Sequence, residues 1–501
     1  MNLQRVALPI LLLAYFALGL AYRIVNPLGE AADEVPHFAY VEYLLTHHEL
    51  PSSEGATLGE ARQPPLYYVL GALATFWVPR QDFPAIANPD YILGDPQTPN
   101  LLLHTRREAF PYQDTALVWH LLRLLSVVMG AVTVWATWRL ALAFFPGEYW
   151  LALGSAAFVA LLPSFLFLSA SVNNDNLVIM LTALSVLQVV SMARGKLQWP
   201  QTIRLGILMA LSVLAKWSGL IVWPFAGAIL LFSALHSRKW KEVVLHLIVS
   251  FGIAGAVLAP WAFDNLARYG DPLGWSMALS TTELRLAPMS LSDWWAFFLS
   301  LYTSFWGRFG GALQLEMSGI VYGILGAICV AATVGWVEFG RDTFQKRSDS
   351  NTRVLFAVFS LFWLLLLASY VRWTITFAGT NQARLIHPGL PLLAIFLIAG
   401  LARFFSVRRQ AAIIAAVCGL LLLNLSVLTY LQSTFDPPPT SVASLPSLGG
   451  KSKPADFADT IRITDYRIDK SHAARGDTLT AEIYWQALKQ PQEDYWLLLQ
   501  L

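Results

Sequence analysis

Long apolar runs follow one another along most of this 501-residue chain, and short polar segments separate them. A helix needs about 20 mainly apolar residues to cross the hydrocarbon layer of a membrane. Runs near this length lie at 6–25, 116–145, 148–171, 174–193, 203–217, 219–235, 243–263, 317–338, 353–373, 385–402 and 410–430. No convincing small-residue cleavage site follows the first run, so we interpret it as a retained helix. The pattern predicts an all-α polytopic membrane protein with about eleven transmembrane helices.

The basic residues between the runs predict the orientation of the chain. If the N-terminus is cytoplasmic, the basic loops all fall on the cytoplasmic side, as the positive-inside rule requires. These loops are 194–204, 238–241, 341–353 and 403–409. The C-terminus then lies outside. A further apolar stretch at 64–77 would reverse every later loop if it spanned, so we expect it to be interfacial or re-entrant.

This topology predicts three regions along the chain. Residues 1–430 form the transmembrane domain, with large external loops at 27–115 and 264–316 that carry juxtamembrane helices. Residues 431–459 form a linker rich in Pro, Ser and Gly. Residues 460–501 contain three alternating segments, IRITDYRI, TLTAEIYW and DYWLLLQL, that are typical of strands. Because a β-sandwich usually needs about seven strands, we expect a partial, sandwich-like external module.

Composition narrows the function classes. Hydrophobic residues make up 56% of the chain and charged residues only 13%, which excludes a soluble enzyme. The formal net charge is only +2, so no nucleic-acid partner is expected. The two cysteines lie inside apolar runs and indicate neither a disulfide framework nor a cysteine metal site.

The first external loop holds the main candidates for chemistry. Asp33 and Glu34 follow the first apolar run, and His37 lies one helical turn beyond Asp33. A carboxylate at the membrane surface can serve as a general base or as a metal ligand. The alternative is that Asp33 only caps a helix, since acids favour helix N-termini.

Several other external residues could contact a substrate. Gln63 and Tyr67 belong to the segment QPPLYYVL, where the prolines also suit a helix start and tyrosines often anchor at the interface. Asp175 lies in SVNNDNL, which is also typical of a tight turn. Four external cations could bind an anionic group, although each could instead pair with a loop carboxylate: Arg123, Lys216, Arg308 and Arg384.

These motifs together resemble a known superfamily. The Asp-Glu and His pattern, QPPLYYVL, the NND turn, LAKWSGL, PWAFDNLARYGDPLG and QARLIHPGLP are similar to motifs of bacterial GT-C glycosyltransferases. The nearest kin are protein-mannosyltransferase-like and aminoarabinose-transferase-like membrane enzymes, and the resemblance covers roughly residues 1–430. The chain lacks the HPPLGK-like stretch of the protein mannosyltransferases and has Gln63 with PPLYY instead, so a protein acceptor is not specifically indicated.

The resemblance implies a GT-C-like fold in the bacterial cytoplasmic membrane and transfer of a sugar from a polyprenyl-phosphate donor. The acceptor would be an extracytoplasmic lipid, glycan or protein. By this resemblance Asp33 is catalytic, with Glu34 beside it, and a divalent metal could bind Asp33, Glu34, His37 and His104. The residues expected to contact substrate are His37, Gln63, Tyr67, Asp175, Lys216, Arg308 and Arg384.

The alternative class is a non-catalytic carrier or scaffold of lipid-linked sugars in surface-polysaccharide assembly. A carrier is expected to have discontinuous helices around midplane charges in two corresponding halves. The sequence shows no such halves, and its candidate charges gather on one side of the membrane. This distribution favours an enzyme.

Overall fold

The structure is a computed structural model, and it describes residues 3–52, 59–80, 87–88, 91–93, 95–237, 240–345, 350–435, 455–457, 460–468 and 480–489. The chain divides into two compact units, 1–438 and 439–501. The first unit is helical, and the described strands of the second form a small antiparallel sheet.

The helices of the first unit are numbered here in chain order. They are α1 (Leu3–Val25), α2 (Glu34–His47), α3 (Leu66–Thr75), α4 (Asp114–Phe144), α5 (Tyr149–Ala160), α6 (Pro163–Ser169), α7 (Asp175–Arg194), α8 (Trp199–Ala215), α9 (Val222–Ser237), α10 (Trp240–Tyr269), α11 (Trp275–Thr281), α12 (Leu291–Gly307), α13 (Gly319–Gln345), α14 (Ser350–Thr376), α15 (Leu390–Phe404) and α16 (Arg409–Thr434). Short 3-10 helices occupy Arg106–Glu108, Trp217–Ile221, Ala383–Gly389 and Ser406–Arg408. Strands β1 (Arg308–Phe309) and β2 (Leu315–Glu316) form a hairpin.

Within the described residues, nine helices are long and apolar enough to cross a membrane. A tenth span results if α5 and α6 are counted together, although they are bent by 59° where Pro163 begins α6. The predicted run at 203–217 corresponds to α8, whose 17 residues make it a shorter apolar helix. The chain is a multi-pass membrane protein, and the predicted all-α polytopic fold is confirmed with a slightly smaller helix count.

The apolar stretch at 64–77 does not form a full span. It contains α3, whose ten residues extend only about 15 Å, half of a hydrocarbon layer about 30 Å thick. The second external loop contains α11 and the aromatic helix α12, which begins with a capping box between Ser290 and Asp293. Both loops that are predicted to be external therefore carry short helices.

Buried apolar side chains form two groups in the first unit. The larger group extends through most of the long helices, from Tyr15 in α1 to Leu431 in α16. The smaller group joins α2 and α3 to α4 and α7. In it the rings of Phe38 and Trp119 stack with centroids 4.0 Å apart. This packing holds the helices of the first external loop against the long helices and so positions the polar residues of that loop.

The second unit differs in detail from the prediction. Strands β3 (Ala455–Phe457), β4 (Ile461–Ile468) and β5 (Ala481–Ala487) pair antiparallel in that order. The strands predicted at IRITDYRI and TLTAEIYW correspond to β4 and β5, whereas the one predicted at DYWLLLQL lies outside the described residues. Strand β3 falls within the predicted linker, and α16 continues to Thr434, past the predicted start of that linker.

Candidate active site

Four charged side chains from distant parts of the chain meet in the first unit. Asp33 lies in the connection between α1 and α2, and Asp175 is the first residue of α7. Lys216 joins α8 to the following 3-10 helix, and Arg384 is near the start of the 3-10 helix before α15. The two acids precede or begin helices and Lys216 follows one, which are the positions that the helix dipole favours.

These residues alternate in charge. Arg384 Nη2 forms an ion pair with Asp33 Oδ2, and Arg384 Nη1 lies 3.7 Å from Asp175 Oδ2. Asp175 Oδ1 accepts a hydrogen bond of 2.6 Å from Lys216 Nζ. Asp175 is buried, whereas Asp33 is exposed. We call this row of Asp33, Arg384, Asp175 and Lys216 the charge chain.

Asp33 has an unusual backbone and a perturbed carboxyl group. Its φ of 59° lies in the left-handed region, which non-glycine residues seldom adopt and which often occurs at functional sites. The guanidinium of Arg384 holds the pKa of this carboxyl well below its usual range. Asp33 is therefore a carboxylate at neutral pH.

The position of Lys216 depends on a close backbone approach. The 3-10 helix that follows Lys216 folds back on the end of α8, and Gly219 meets α8 there. A Cβ atom at Gly219 would lie only 2.1 Å from the carbonyl oxygen of Ser212. Only glycine allows this approach, which places the ammonium of Lys216 beside Asp175.

His37 and Glu60 lie next to Asp33. Each of these three side chains offers a ligand atom, and the three atoms lie within 4.8 Å of one another. Both His37 and Glu60 are buried. His37 Nδ1 is 2.7 Å from Tyr68 Oη. Burial lowers the pKa of His37 despite the nearby carboxylates, so the imidazole is neutral at neutral pH.

Gln63 connects this group to the charge chain. Its Nε2 donates to Glu60 Oε2 at 2.7 Å, and its Oε1 accepts from Asn174 Nδ2 at 3.1 Å. Asn174 directly precedes Asp175, so the predicted NND turn is part of the site. Tyr67 supports the same turn, because its hydroxyl accepts from the backbone N–H of Asn173 at 3.0 Å.

The structure therefore brings together six of the residues singled out in the sequence: Asp33, His37, Gln63, Asp175, Lys216 and Arg384. Tyr67 contacts the NND turn but is buried, and its hydroxyl oxygen lies 2.9 Å from Ser126 Oγ. Glu60 was missed, because its distance along the chain from Asp33 and His37 has no helical relation. The only available signal was its place three residues before Gln63 in GEARQPP.

The position of Glu34 does not suit the catalytic and metal-binding role that the sequence predicts for it. Its carboxylate is fully buried and forms a bidentate pair with Arg123, at 2.7 Å to Nε and 2.6 Å to Nη2. The backbone N–H groups of Gly29 and Val172 also donate to it. Because both oxygens already accept hydrogen bonds, Glu34 anchors the loop and is left out of the mechanism proposed below.

Arg308 and His104 also lie elsewhere than the sequence predicts. Arg308 pairs with Glu316 at 2.8 Å across the β1–β2 hairpin, and its Nη1 donates to Ser300. His104 lies between two carboxylates, 3.1 Å from Glu30 and 2.8 Å from Glu108. Within the described residues, neither side chain belongs to the group of Asp33, His37 and Glu60. The physical reason is the same for both residues, since each pairs with acids near it and not with the residues around Asp33.

The surroundings of His104 predict a pH dependence of stability. Burial lowers its pKa, but hydrogen bonds to Glu108 and Glu30 more than offset this and raise the pKa to about 9, from an ordinary 6.5. A histidine whose pKa rises on folding stabilises the fold fully below 6.5 and loses that contribution as pH rises to about 9. We expect the thermal unfolding midpoint to fall over this range, and to fall less in His104→Gln.

The matched control is His47→Gln, because His47 is exposed at the end of α2. It should show the same dependence on pH as the wild-type protein. Equal losses of stability in wild type and His104→Gln would contradict the prediction.

The geometry suits a reaction in which negative charge develops on a leaving group. Two cations lie beside two carboxylates in a partly buried place, where electrostatic interactions are stronger than in water. One carboxylate, Asp33, is exposed and could contact a substrate hydroxyl. The same site also contains a neutral imidazole and a further carboxylate.

Comparison with known proteins finds a family model that matches part of the chain. Residues 119–263 match the family model described as "Dolichyl-phosphate-mannose-protein mannosyltransferase". The predicted resemblance to GT-C glycosyltransferases is confirmed. The match covers less than a third of the chain and includes Asp175 and Lys216, whereas Asp33 and Arg384 lie outside it. No curated protein matches the sequence.

Solved structures of GT-C enzymes show a distant likeness. The apo oligosaccharyltransferase of Archaeoglobus fulgidus has 14% identity and a TM-score of 0.49, over 86% of this chain and 56% of its own. ArnT of Cupriavidus metallidurans bound to undecaprenyl phosphate has 14% identity and a TM-score of 0.44, over 84% and 69%. The S. cerevisiae Pmt1-Pmt2 complex bound to its sugar donor has 16% identity and a TM-score of 0.35, over 55% and 34%. The chain thus spans little more than half the length of the archaeal enzyme.

Proposed function

We propose that this protein is a membrane glycosyltransferase that moves a sugar from a polyprenyl-phosphate donor to a hydroxyl group of an extracytoplasmic lipid, glycan or protein. The charge chain carries this proposal, because it combines an exposed carboxylate with two cations. The family match supports it, since that family is described by a lipid-phosphate-linked sugar.

In the proposed reaction the acceptor oxygen attacks the anomeric carbon of the sugar. The bond between that carbon and the phosphate oxygen breaks, and the phosphate leaves with the bonding electron pair. Asp33 accepts the proton of the acceptor hydroxyl. Lys216 and Arg384 stabilise the charge that develops on the departing polyprenyl phosphate.

Donor binding would also change the pKa of the Asp33 carboxyl group. The pKa of Asp33 is low mainly because Arg384 lies beside it. A phosphate group attracts guanidinium as strongly as a carboxylate does. When the donor phosphate engages Arg384, the pKa of Asp33 rises and the carboxylate becomes a better base. The base is therefore activated only when the donor is present.

The proposed location is the cytoplasmic membrane of a bacterium, with the site on the non-cytoplasmic side. The basic segments at 194–204, 238–241, 341–353 and 403–409 support this orientation. Basic segments separate Asp175 from Lys216 and Lys216 from Arg384 along the chain. On this orientation the N-terminus is inside and the C-terminus outside.

Turnover with lipid-linked sugars tests the proposal. Purified protein in lipid is incubated with a panel of polyprenyl-phosphate sugars, and released polyprenyl phosphate is measured by mass spectrometry. We expect release with at least one donor, and a rate about 100-fold lower in Lys216→Met because a preorganised cation is lost. Lys241→Met is the matched control, since Lys241 is exposed near the start of α10. No release with any donor by folded wild-type protein would contradict the proposal.

A divalent metal is a further part of the proposal. Asp33, His37 and Glu60 fit such an ion, since a neutral imidazole and two carboxylates form a common donor set and their ligand atoms are close together. A bound ion would supply positive charge for the donor phosphate. One oxygen of the Asp33 carboxylate would then be a ligand and the other would remain the base, and the remaining charge chain would still bind phosphate.

Metal content tests this part independently of activity. We expect about one divalent ion per chain after incubation with Zn²⁺ or Mn²⁺ and removal of free metal, as measured by mass spectrometry. His37→Ala should lose most of it because the imidazole is the only nitrogen ligand. His47→Ala is the control on the same helix and should keep it. Equal metal content in wild type and His37→Ala would contradict the assignment.

A further inference from the structure

The C-terminal end of α1 carries a cation that lies outside the site described above. Arg23 is in the last turn of this candidate membrane span and is half-buried. Its Nη1 donates to the backbone carbonyl of His120 in α4 at 3.2 Å, whereas its Nε is buried and has no hydrogen-bond partner among the described residues. The mechanism proposed above does not use Arg23.

Arg23 has no counter-charge, in contrast to the cations near Asp33. Arg123, Lys216 and Arg384 each form an ion pair with a carboxylate. In the part of the chain that the structure describes, no carboxylate forms an ion pair with Arg23, and the guanidinium of Arg123 donates to its backbone carbonyl at 3.0 Å. An arginine stays protonated, and a charge that is partly withdrawn from water is costly without a partner. The arrangement therefore favours binding of an anion.

The residue that Arg23 contacts also has an unpaired polar atom. The His120 side chain is only 5% exposed, and its Nδ1 has no hydrogen-bond partner within the described ranges. The ring of His120 packs on Tyr112 with centroids 3.6 Å apart. An imidazole can donate an N–H from either ring nitrogen, so His120 can add a hydrogen bond to an anion that Arg23 holds.

The surroundings of Arg23 are those of a membrane boundary. Ile24, the next residue of α1, is 62% exposed although α1 is a candidate span, so this side of the helix faces lipid. Phe110 is 82% exposed just before the start of α4, and its ring packs edge-to-face on Tyr112 with centroids 5.6 Å apart. The unpaired cation therefore lies at a level where lipid headgroups meet the hydrocarbon layer.

The anion present at this level of a bilayer is the phosphate of a phospholipid. Guanidinium binds phosphate through charge-assisted hydrogen bonds, which are about twice as strong as neutral ones. A phospholipid also brings acyl chains, which can lie along the exposed apolar side of α1. A free phosphate ion would gain the same hydrogen bonds but no apolar contact.

We propose that Arg23 and His120 bind the phosphate of a membrane phospholipid at the end of α1. Among the described residues, no hydrogen bond or ion pair links either side chain to the charge chain. The site is therefore separate from the place of sugar transfer and does not rest on the proposed function. A lipid bound there would hold the end of α1, from which the chain enters the connection that carries Asp33.

Lipid binding to the full chain tests the proposal. Purified protein in detergent is freed of lipid and titrated with dioleoylphosphatidylglycerol, and native mass spectrometry counts the bound molecules. We expect one tight site per chain and about tenfold weaker binding in Arg23→Gln, because hydrogen bonds to a charged group are lost. Dioleoylglycerol has the same acyl chains without the phosphate and should not bind tightly.

Arg268→Gln is the matched control. Arg268 also lies in the last turn of a candidate span, but it already pairs with Asp264 at 2.9 Å. This variant should bind phosphatidylglycerol as the wild-type protein does. A second variant, Phe110→Ala, changes an exposed ring and should also weaken binding, so the test does not depend on the folding of Arg23→Gln.

Three results would overturn the proposal. The first is equal binding by wild type, Arg23→Gln and Phe110→Ala. The second is binding that is lost in Lys216→Met but kept in Arg23→Gln, which would place the lipid at the charge chain. The third is displacement of the lipid by an equal concentration of inorganic phosphate, which would assign the site to the free ion. Failure of the transfer assay would count against the proposed function alone, because lipid binding requires no turnover.

Discussion

Replacement of Asp33 by asparagine is expected to lower the rate of sugar transfer by about 100-fold or more, the usual contribution of a positioned general base. Asparagine keeps the shape of the side chain but cannot accept the acceptor proton. Donor binding should persist, since Lys216 and Arg384 remain. The measurements are release of polyprenyl phosphate and binding of the donor to the same preparation.

Asp293→Asn is the matched control for this variant. Asp293 is also an exposed aspartate near the N-terminus of a helix, and its carboxylate accepts hydrogen bonds from Ser290 in the capping box of α12. It should transfer sugar at the wild-type rate. A folded Asp33→Asn protein with full activity would remove Asp33 from the mechanism.

Replacement of Arg123 by methionine is expected to destabilise the protein by about 3–5 kcal/mol. The Arg123 guanidinium is fully buried in α4 and donates to Glu34 and to the backbone carbonyls of Arg23, Asn26 and Pro27. Without it the Glu34 carboxylate would be a buried charge without its cation. Methionine has a similar length, so the loss reports on charge and hydrogen bonding more than on volume.

The free energy of unfolding in mixed micelles, measured by denaturant titration, checks this value. Arg403→Met is the control, because Arg403 is exposed and forms a surface ion pair with Asp342 at 2.5 Å. That change should cost less than about 1 kcal/mol. Similar losses in the two variants would show that the buried pair has no special role. Glu34→Gln should resemble Arg123→Met, since it breaks the same pair.

The contrast between adjacent residues shows where prediction from sequence ends. Asp33 and Glu34 are consecutive acids, and helical spacing relates His37 to both. In the structure Glu34 turns to Arg123 in α4, whereas Asp33 remains exposed and pairs with Arg384. Because the backbone at Asp33 is left-handed, the side chains of Asp33 and Glu34 point in different directions. No local sequence pattern predicts which cation each acid pairs with, because each partner lies far away along the chain.

The cations illustrate the same limit. The sequence places Lys216, Arg308 and Arg384 in external segments, and two of them join the charge chain. Arg308 instead bonds within its own hairpin, because Glu316 is its paired neighbour across β1 and β2. An apolar run predicts where a charge emerges from the membrane. Which acid it meets depends on how the helices pack.

The hydrophobic pattern alone determined that this chain is a helical membrane protein with short helices between its spans, because a helix in lipid must satisfy its own backbone hydrogen bonds and face apolar side chains outward. Only the tertiary structure shows which residues form the candidate site. Glu60 lies beside Asp33, Glu34 is held in an internal ion pair with Arg123, and Asp33 pairs with Arg384, 351 residues away. Such pairings depend on the relative positions of packed helices, which local spacing does not encode.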